Sequence, residues 1–112
     1  MAEADTMPSS LDNVLNIVAN TYRRRLLVGL LEHNSLNVEN PQVLADVQSE
    51  DEDLKSLKIQ MTHTHLPKLE AAEFIVWNRE DNAVQRGPRF GEIRSLLETL
   101  QNHADELPDN WL

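Results

Sequence analysis

The chain has 112 residues and a formal net charge of −9 at pH 7, with 10 Lys and Arg against 19 Asp and Glu. This length fits one domain, and the absence of cysteine excludes disulfides and thiolate zinc sites. No apolar run approaches the roughly 20 residues that span a bilayer, and the opening segment MAEADTMPSS lacks the apolar core of a signal peptide. We therefore expect a cytoplasmic protein without a membrane partner.

Local signals in the first half of the chain predict three helices and one short extended segment. Ser10 or Ser9 can cap a first helix, because a hydroxyl at that position accepts a hydrogen bond from a helix N–H group. Asn20 and Thr21 offer a break and a second cap, and Pro41 suits the first position of a third helix. The predicted elements are a disordered or loosely attached tail over 1–9, helices beginning near 11, 21 and 41, an extended segment over 36–38 and a solvated acidic loop over 48–53.

The second half predicts a long helix, a hairpin and a final helix. Residues 74–77 (FIVW) are β-branched and aromatic, which favours a strand, and residues 81–82 (DN) tolerate the positive φ of a tight turn. Pro67 either kinks the long helix or begins a shorter one; the apolar spacing continues past it and favours a continuous, kinked helix. The predicted elements are a helix over 54–72, strands over 74–77 and 83–86, a C-terminal helix over 92–107 and a tail over 108–112.

This order of elements predicts an α+β fold that is mostly helical. A helix with a polar face, followed at once by a hairpin with arginines near its tip, is typical of a winged helix-turn-helix, a DNA-binding fold. We therefore predict a winged helix-turn-helix domain over 10–91 and a C-terminal dimerisation helix over 92–107.

The long helix carries the candidate DNA-reading residues. At about 100° per residue, its inner face is predicted to hold Ile59, Thr62, Leu66 and Leu69. Its outer face is predicted to hold Gln60, Thr64 and Lys68, with Met61 beside them. In a helix-turn-helix such side chains enter the major groove, where Gln pairs with adenine, Thr contacts a thymine methyl and Lys reaches guanine or phosphate. The alternative is an ordinary solvated helix face.

The distribution of charge favours this face although the whole chain is acidic. Residues 35–54 carry six acids and no base, whereas residues 55–91 carry six bases and four acids. Arg79 and Arg86 flank the predicted hairpin tip, where such residues contact the phosphate backbone or the minor groove. Two acids at the tip itself oppose phosphate, so surface salt bridging is the alternative for these arginines.

Other functions have little support in the sequence. His63 and His65 form an H-x-H pair, but side chains two residues apart on a helix diverge by about 200°, so we predict no metal site and no cofactor. The chain has no P-loop, Gly-rich phosphate loop or nucleophile elbow, so we predict no enzymatic activity. The run of three arginines over 23–25 has two interpretations, a phosphate contact or a structural role.

Apolar residues of the first and last predicted helices exceed what a small core with a hairpin can cover, so we predict a homodimer. These residues are Leu11, Val14, Leu15 and Val18 in the first helix and Ile93, Leu96, Leu97 and Leu100 in the last. The alternative is that they pack on each other within one subunit.

The sequence resembles a family of small winged helix-turn-helix proteins from halophilic archaea, and more distantly the dimeric ArsR-type repressors, through LDNVLNIVANTYRRRLLVGLLEH and THTHLPKLEAAEFIVW. The resemblance covers roughly residues 11–90 and implies a winged-helix fold, dimerisation through the terminal helices and a regulatory role. It implies base-facing roles for Gln60, His63, Thr64 and Lys68 and wing contacts for Arg79 and Arg86. The family has Gly where this chain has Glu73, and Glu in the left-handed conformation that often ends a helix costs about 1 kcal/mol.

We therefore expect a sequence-specific, duplex-DNA-binding transcriptional regulator. The acid excess, with only three lysines, suits either a salt-in halophile or an acidic mesophilic protein, and the resemblance favours the halophile. The alternative function is that of a winged helix without DNA binding, which docks a protein partner through its acidic 46–53 loop or its Trp111 tail.

Overall fold

The structure is a computed structural model that describes residues 9–47 and 53–108. The predicted acidic loop and the two predicted tails lie almost entirely outside the described residues. The fold is α+β and mostly helical, as predicted, with one three-stranded antiparallel sheet. Its elements are α1 (Leu11–Val18), α2 (Thr21–Glu32), β1 (Ser35–Asn37), α3 (Pro41–Val47), α4 (Leu54–Gln60), a π-helical turn (Met61–His65), α5 (Leu66–Ala71), β2 (Ile75–Asn78), β3 (Ala83–Arg86), α6 (Phe90–Asn102) and a 3-10 turn (Ala104–Glu106).

Short polar side chains set where three of the helices begin. The Ser10 side chain accepts a hydrogen bond from the Asn13 N–H group at the start of α1. Asn20 caps α2 and Asp53 caps α4 in the same way. Such caps satisfy N–H groups that have no partner inside the helix, so the predicted cap at Ser10 is confirmed.

The sheet has the strand order β1-β3-β2 and is built on the hairpin formed by β2 and β3. Trp77 lies opposite Val84, and both face the core. Asn82 closes the hairpin with φ of 54°, as the turn residues predicted. Strand β1 pairs with the other edge of β3, with Leu36 opposite Val84, so the first half of the chain is hydrogen-bonded to the hairpin.

The helix over 54–71 is continuous through Pro67, and a π-helical turn precedes the proline. The Leu66 N–H group bonds to the Met61 carbonyl five residues earlier, where an α-helix would join residues four apart. Proline has no N–H group and its ring crowds the carbonyl of the preceding turn. The wider π-helical turn lies where that crowding would occur.

The π-helical turn makes the predicted inner and outer faces of this helix partly wrong. Ile59 is 51% exposed and Thr62 is exposed, although both were placed on the inner face, whereas Met61 is only 3% exposed. A π-helical turn rotates less per residue than an α-helix, so a wheel at 100° per residue loses register across it. The face that packs on the core consists of Leu57, Met61, His65, Leu66 and Leu69.

Helix α5 ends at Ala71 with Ala72 as its C-cap, and the next residue, Glu73, has a positive φ of 66°. The Glu73 N–H group bonds to the Glu70 carbonyl (3.0 Å), and the Phe74 N–H group bonds to the Leu69 carbonyl (3.1 Å). These two bonds define a Schellman motif, in which the left-handed residue is usually Gly. Here the position is held by Glu, so the helix ends as it would with Gly but under backbone strain.

Replacing Glu73 with Gly is expected to raise the free energy of unfolding by up to about 1 kcal/mol, because Gly adopts positive φ without a Cβ clash. The substitution also removes the ion pair between Glu73 Oε1 and Arg89 Nε (3.2 Å), but an exposed pair contributes little. Glu73→Gln is the matched control, since it removes the charge and keeps the strained backbone. Urea denaturation measures both variants; Glu73→Gly no more stable than Glu73→Gln would contradict the strain.

Candidate nucleic-acid interface

Two of the three consecutive arginines bind the C-terminal end of α1. Arg23 donates from Nε to the Ile17 carbonyl (2.9 Å) and from Nη2 to the Asn16 carbonyl (3.0 Å). Arg24 donates from Nη1 to the Val18 carbonyl (2.7 Å). Burial lowers the pKa of Arg23 and of Arg24, but arginine stays protonated in proteins. Their positive charges therefore face the negative end of a helix dipole, where cations are stabilising.

Arg25 and Arg86 bind the ends of two further helices. Arg25 Nη1 donates to the Val47 carbonyl at the end of α3 (3.3 Å). Arg86 donates from Nε to the Leu30 carbonyl (2.6 Å) and from Nη2 to the Leu31 carbonyl (3.1 Å), in the last turn of α2. Arg86 is half-buried and its guanidinium is committed to the protein backbone. The predicted wing contact of Arg86 is therefore corrected to a structural role that joins β3 to α2.

Arg79, the other arginine of the hairpin, contacts a side chain of α5 and a ring of β2 but remains accessible to solvent. Its Nη2 lies 3.1 Å from Glu70 Oε1, and its guanidinium lies 4.1 Å from the Trp77 ring centroid. The Arg79 side chain keeps 58% of its surface exposed, so it still faces solvent beside the helix. Salt bridging, the alternative weighed for these arginines, is thus present at Arg79.

The three lysines of the chain all lie on the helix over 54–71. Lys55, Lys58 and Lys68 are exposed, and within residues 9–47 and 53–108 none of their side-chain ammonium groups has a hydrogen bond or an ion pair. Lys55 and Lys58 were missing from the predicted site, although two lysines in the first turns of the candidate reading helix were a readable signal. All three lysine ammonium groups, which have no partner within the described residues, therefore lie on this one helix.

The predicted outer face is divided between two sides of the helix. His63 and Thr64 are exposed side by side, while Gln60 is half-buried. Lys58 and Thr62 border a cleft of about 100 Å³ beside the hairpin. Lys68 borders a different cleft, of about 310 Å³, against α1. The predicted single stripe from Gln60 through Thr64 to Lys68 is therefore corrected: Lys68 faces α1, and the face toward the hairpin includes Lys58 and Thr62.

Acidic side chains border this face on the hairpin side. Glu80 and Asp81 are exposed at the hairpin tip. Glu39 accepts a hydrogen bond from Asn82 Nδ2 (2.6 Å) and borders the same cleft as Lys58. These carboxylates place negative charge along the hairpin side of the helix, including the cleft that Lys58 borders.

The two histidines of the H-x-H pair point to different environments. His65 is 4% exposed, with Nδ1 lying 3.3 Å from Arg23 Nη1 and its ring 5.4 Å from that of Tyr22. His63 is exposed. Within the part of the chain that the structure describes, no three His, Cys, Asp or Glu side chains form a group that could hold a metal ion.

The predicted dimerisation residues divide into buried and exposed sets. Val14, Val18, Ile93 and Leu97 belong to the core of the single chain, so their assignment to a dimer interface is wrong and the alternative of packing within one subunit holds for them. Leu11 is 67% and Leu15 45% exposed, one helical turn apart on α1. Leu96 and Leu100 of α6 are half-buried.

Comparisons with protein-family models, with curated proteins and with solved structures find no match. Among the described residues, no helix combines the length and apolar character that a membrane crossing requires.

Proposed function

We propose that this protein is a winged helix-turn-helix regulator that binds duplex DNA through the exposed face of the helix over 54–71. The observation that carries the proposal is the division of the basic residues. Arginines 23–25 and Arg86 bind helix ends, whereas the ammonium groups of all three lysines have no partner within the described residues and lie on one exposed helix. Because four of the arginines bind backbone carbonyls within the fold, whereas Lys55 and Lys58 are exposed on this helix, we expect the helix to supply the main phosphate contacts.

The residues around the middle of this helix suit contact with a groove. Lys55 and Lys58 would bind phosphates, which fix the protein on the duplex. Thr62, His63 and Thr64 would face base edges, with which hydroxyl and imidazole groups form hydrogen bonds. The helix spans 18 residues, from Leu54 to Ala71, or about 27 Å, which is long enough to enter a major groove.

A homodimer would strengthen this binding. Leu11, Leu15, Leu96 and Leu100 are the apolar side chains that the single chain leaves exposed or half-buried in α1 and α6. Two copies would place their reading helices about 34 Å apart, on successive turns of the duplex. At molar salt the Debye length is about 3 Å, so long-range attraction between protein and phosphate is lost. In a salt-adapted, acidic protein, affinity would then come from the fit of the helix in the groove and from binding by a second copy.

Single substitutions of the lysines test the proposal. Lys55→Gln and Lys58→Gln are each expected to lower the affinity for duplex DNA and to reduce the log–log salt slope by about 0.9, the value of one lost phosphate contact. Lys68→Gln is the matched control, with the same charge change on the α1 side of the same helix and a smaller expected effect. Fluorescence anisotropy with random and genomic duplexes over a salt series measures both quantities.

The outcomes of this titration separate the possibilities. Equal losses for Lys68→Gln and Lys58→Gln would show that the hairpin-facing side is misassigned. Absence of measurable binding to any duplex, even at low salt, would reject DNA recognition by this helix. A module that binds a protein partner would then be favoured, with the exposed acids at the hairpin tip as one candidate surface. The surfaces predicted for that function, the 46–53 loop and the Trp111 tail, lie mostly outside the described residues.

A further inference from the structure

A cleft between α1 and α5 combines one cation with polar and apolar walls. It encloses about 310 Å³. Lys68 stands on its α5 side, and its other polar side chains are Ser9, Asn13 and Asn16. Ile17, Ala71, Ala72 and Phe74 supply its apolar surface. Lys68 has no ion pair within residues 9–47 and 53–108, so the cleft offers an uncompensated positive charge beside an apolar surface.

The chain itself enters this cleft at Ser9. The Ser9 N–H group donates to Glu92 Oε1 (3.0 Å), which fixes the point of entry against α6. This hydrogen bond is the main reason why the pKa of Glu92 lies below its ordinary value, and Arg89 adds to the effect. Ser9 therefore lies at the rim of the cleft, and the eight residues that precede it in the sequence would span about 26–29 Å if fully extended.

The composition of residues 1–8 complements the cleft. The segment MAEADTMP carries two acids, Glu3 and Asp5, and no basic side chain. Its methionines and alanines match the apolar wall, and methionine fills irregular apolar gaps well. Because the segment is tethered at Ser9, its effective concentration at the cleft is on the order of millimolar, so weak contacts are enough to populate a bound state.

We propose that the acidic segment preceding Ser9 binds in this cleft and places a carboxylate of Glu3 or Asp5 against Lys68. The segment would neutralise the one lysine of the long helix that faces α1 and leave Lys55 and Lys58 open. This inference does not depend on DNA binding. It assigns Lys68 an intramolecular partner, whatever the opposite side of the helix contacts.

Amine labelling of the full chain tests the proposal, because the three lysines report from a single helix. With a limiting acylating reagent and mass-spectrometric readout, Lys68 is expected to react about two- to fivefold more slowly than Lys55 and Lys58, the range of an exposed ion pair. The double variant Glu3→Gln, Asp5→Asn should raise the rate at Lys68 by a similar factor. Deletion of residues 1–8 should do the same.

A matched control separates local pairing from net charge. The double variant Asp105→Asn, Glu106→Gln removes two acids from the 3-10 turn after α6 and should leave the rate at Lys68 unchanged. Equal reactivity of the three lysines in the intact chain would overturn the proposal. Protection of Lys68 that survives both the charge variant and the deletion would also overturn it, and would assign the cleft to a different occupant, such as a second copy if the protection falls on dilution.

Discussion

Replacing Gly87 with alanine is expected to destabilise the fold by about 2–4 kcal/mol. A Cβ atom at Gly87 would lie 2.5 Å from the Glu73 carbonyl oxygen, 2.7 Å from the Ile75 nitrogen and 2.8 Å from the Phe74 carbonyl carbon. All three are backbone atoms, so no side chain can turn aside to relieve the clash. The same close approach brings the Gly87 N–H group to the Phe74 carbonyl (2.9 Å), and alanine would separate these partners.

Gly91→Ala is the matched control for this prediction. Among the described residues, and apart from its chain neighbours and its own helix backbone, nothing lies within 4 Å of a Cβ atom at Gly91. The residue lies in the first turn of α6, and alanine is favoured over glycine in helices. The free energy of unfolding of this variant is expected to rise by up to about 1 kcal/mol, because alanine has less backbone freedom than glycine in the unfolded chain. Urea denaturation gives both values, and a Gly87→Ala protein as stable as Gly91→Ala would show that the hairpin base is not closely packed in solution.

Replacing Arg23 with methionine is expected to lower the free energy of unfolding by about 2–3 kcal/mol. The substitution keeps a long side chain but removes two hydrogen bonds to the carbonyls of Asn16 and Ile17 and the contact with His65 Nδ1. These partners lie in buried or part-buried surroundings, where an unsatisfied acceptor is costly. Helix α1 would lose a charged group at its C-terminal end.

Two further variants sharpen the test of Arg23. Arg94→Met removes an arginine whose described contact is with the Phe90 ring, 5.4 Å from its guanidinium, and should cost much less. Arg23→Lys keeps the charge without the planar set of donors and should recover only part of the stability. Thermal and urea denaturation compare the three, and full recovery with lysine would show that charge, not hydrogen-bond geometry, holds the end of α1.

The order of elements followed from the sequence because its signals are local. Caps such as Ser10 and Asn20 act on N–H groups two or three residues away, and the turn at Asn82 depends on its own φ. Such features need no knowledge of distant parts of the chain. The boundaries of the first helices and of the hairpin were therefore predictable to within a residue or two.

The faces of the long helix were harder to predict because the π-helical turn leaves no simple trace in the apolar spacing. The predicted positions of Ile59 and Met61 are therefore reversed, because Ile59 is exposed and Met61 is buried. Pro67 is the local signal of a change in the helix, and a proline inside a helix predicts a kink. A single extra residue in one turn is enough to move a side chain from the core to solvent.

The candidate site was misjudged where it depended on long-range contacts. Arg86 binds carbonyls of Leu30 and Leu31, more than fifty residues earlier, and no spacing rule connects them. The sequence predicts an interface role for Val14, Ile93 and Leu97 because the extent of the core depends on how α1, α2 and α6 pack together, and no local pattern gives that packing. Lys55 and Lys58, by contrast, could have been included from their position alone.

The backbone bonds at the base of the hairpin run from Gly87 to Phe74 and from Arg89 to Glu73. The turn over 79–82 is fastened as well, because the Val38 N–H group bonds to the Asn82 carbonyl and Arg79 pairs with Glu70. Glu80 is exposed at the tip, and within the described residues its carboxylate has no hydrogen bond or ion pair. A library of variants could therefore be diversified at position 80 while the bonds at both ends of the hairpin stay in place.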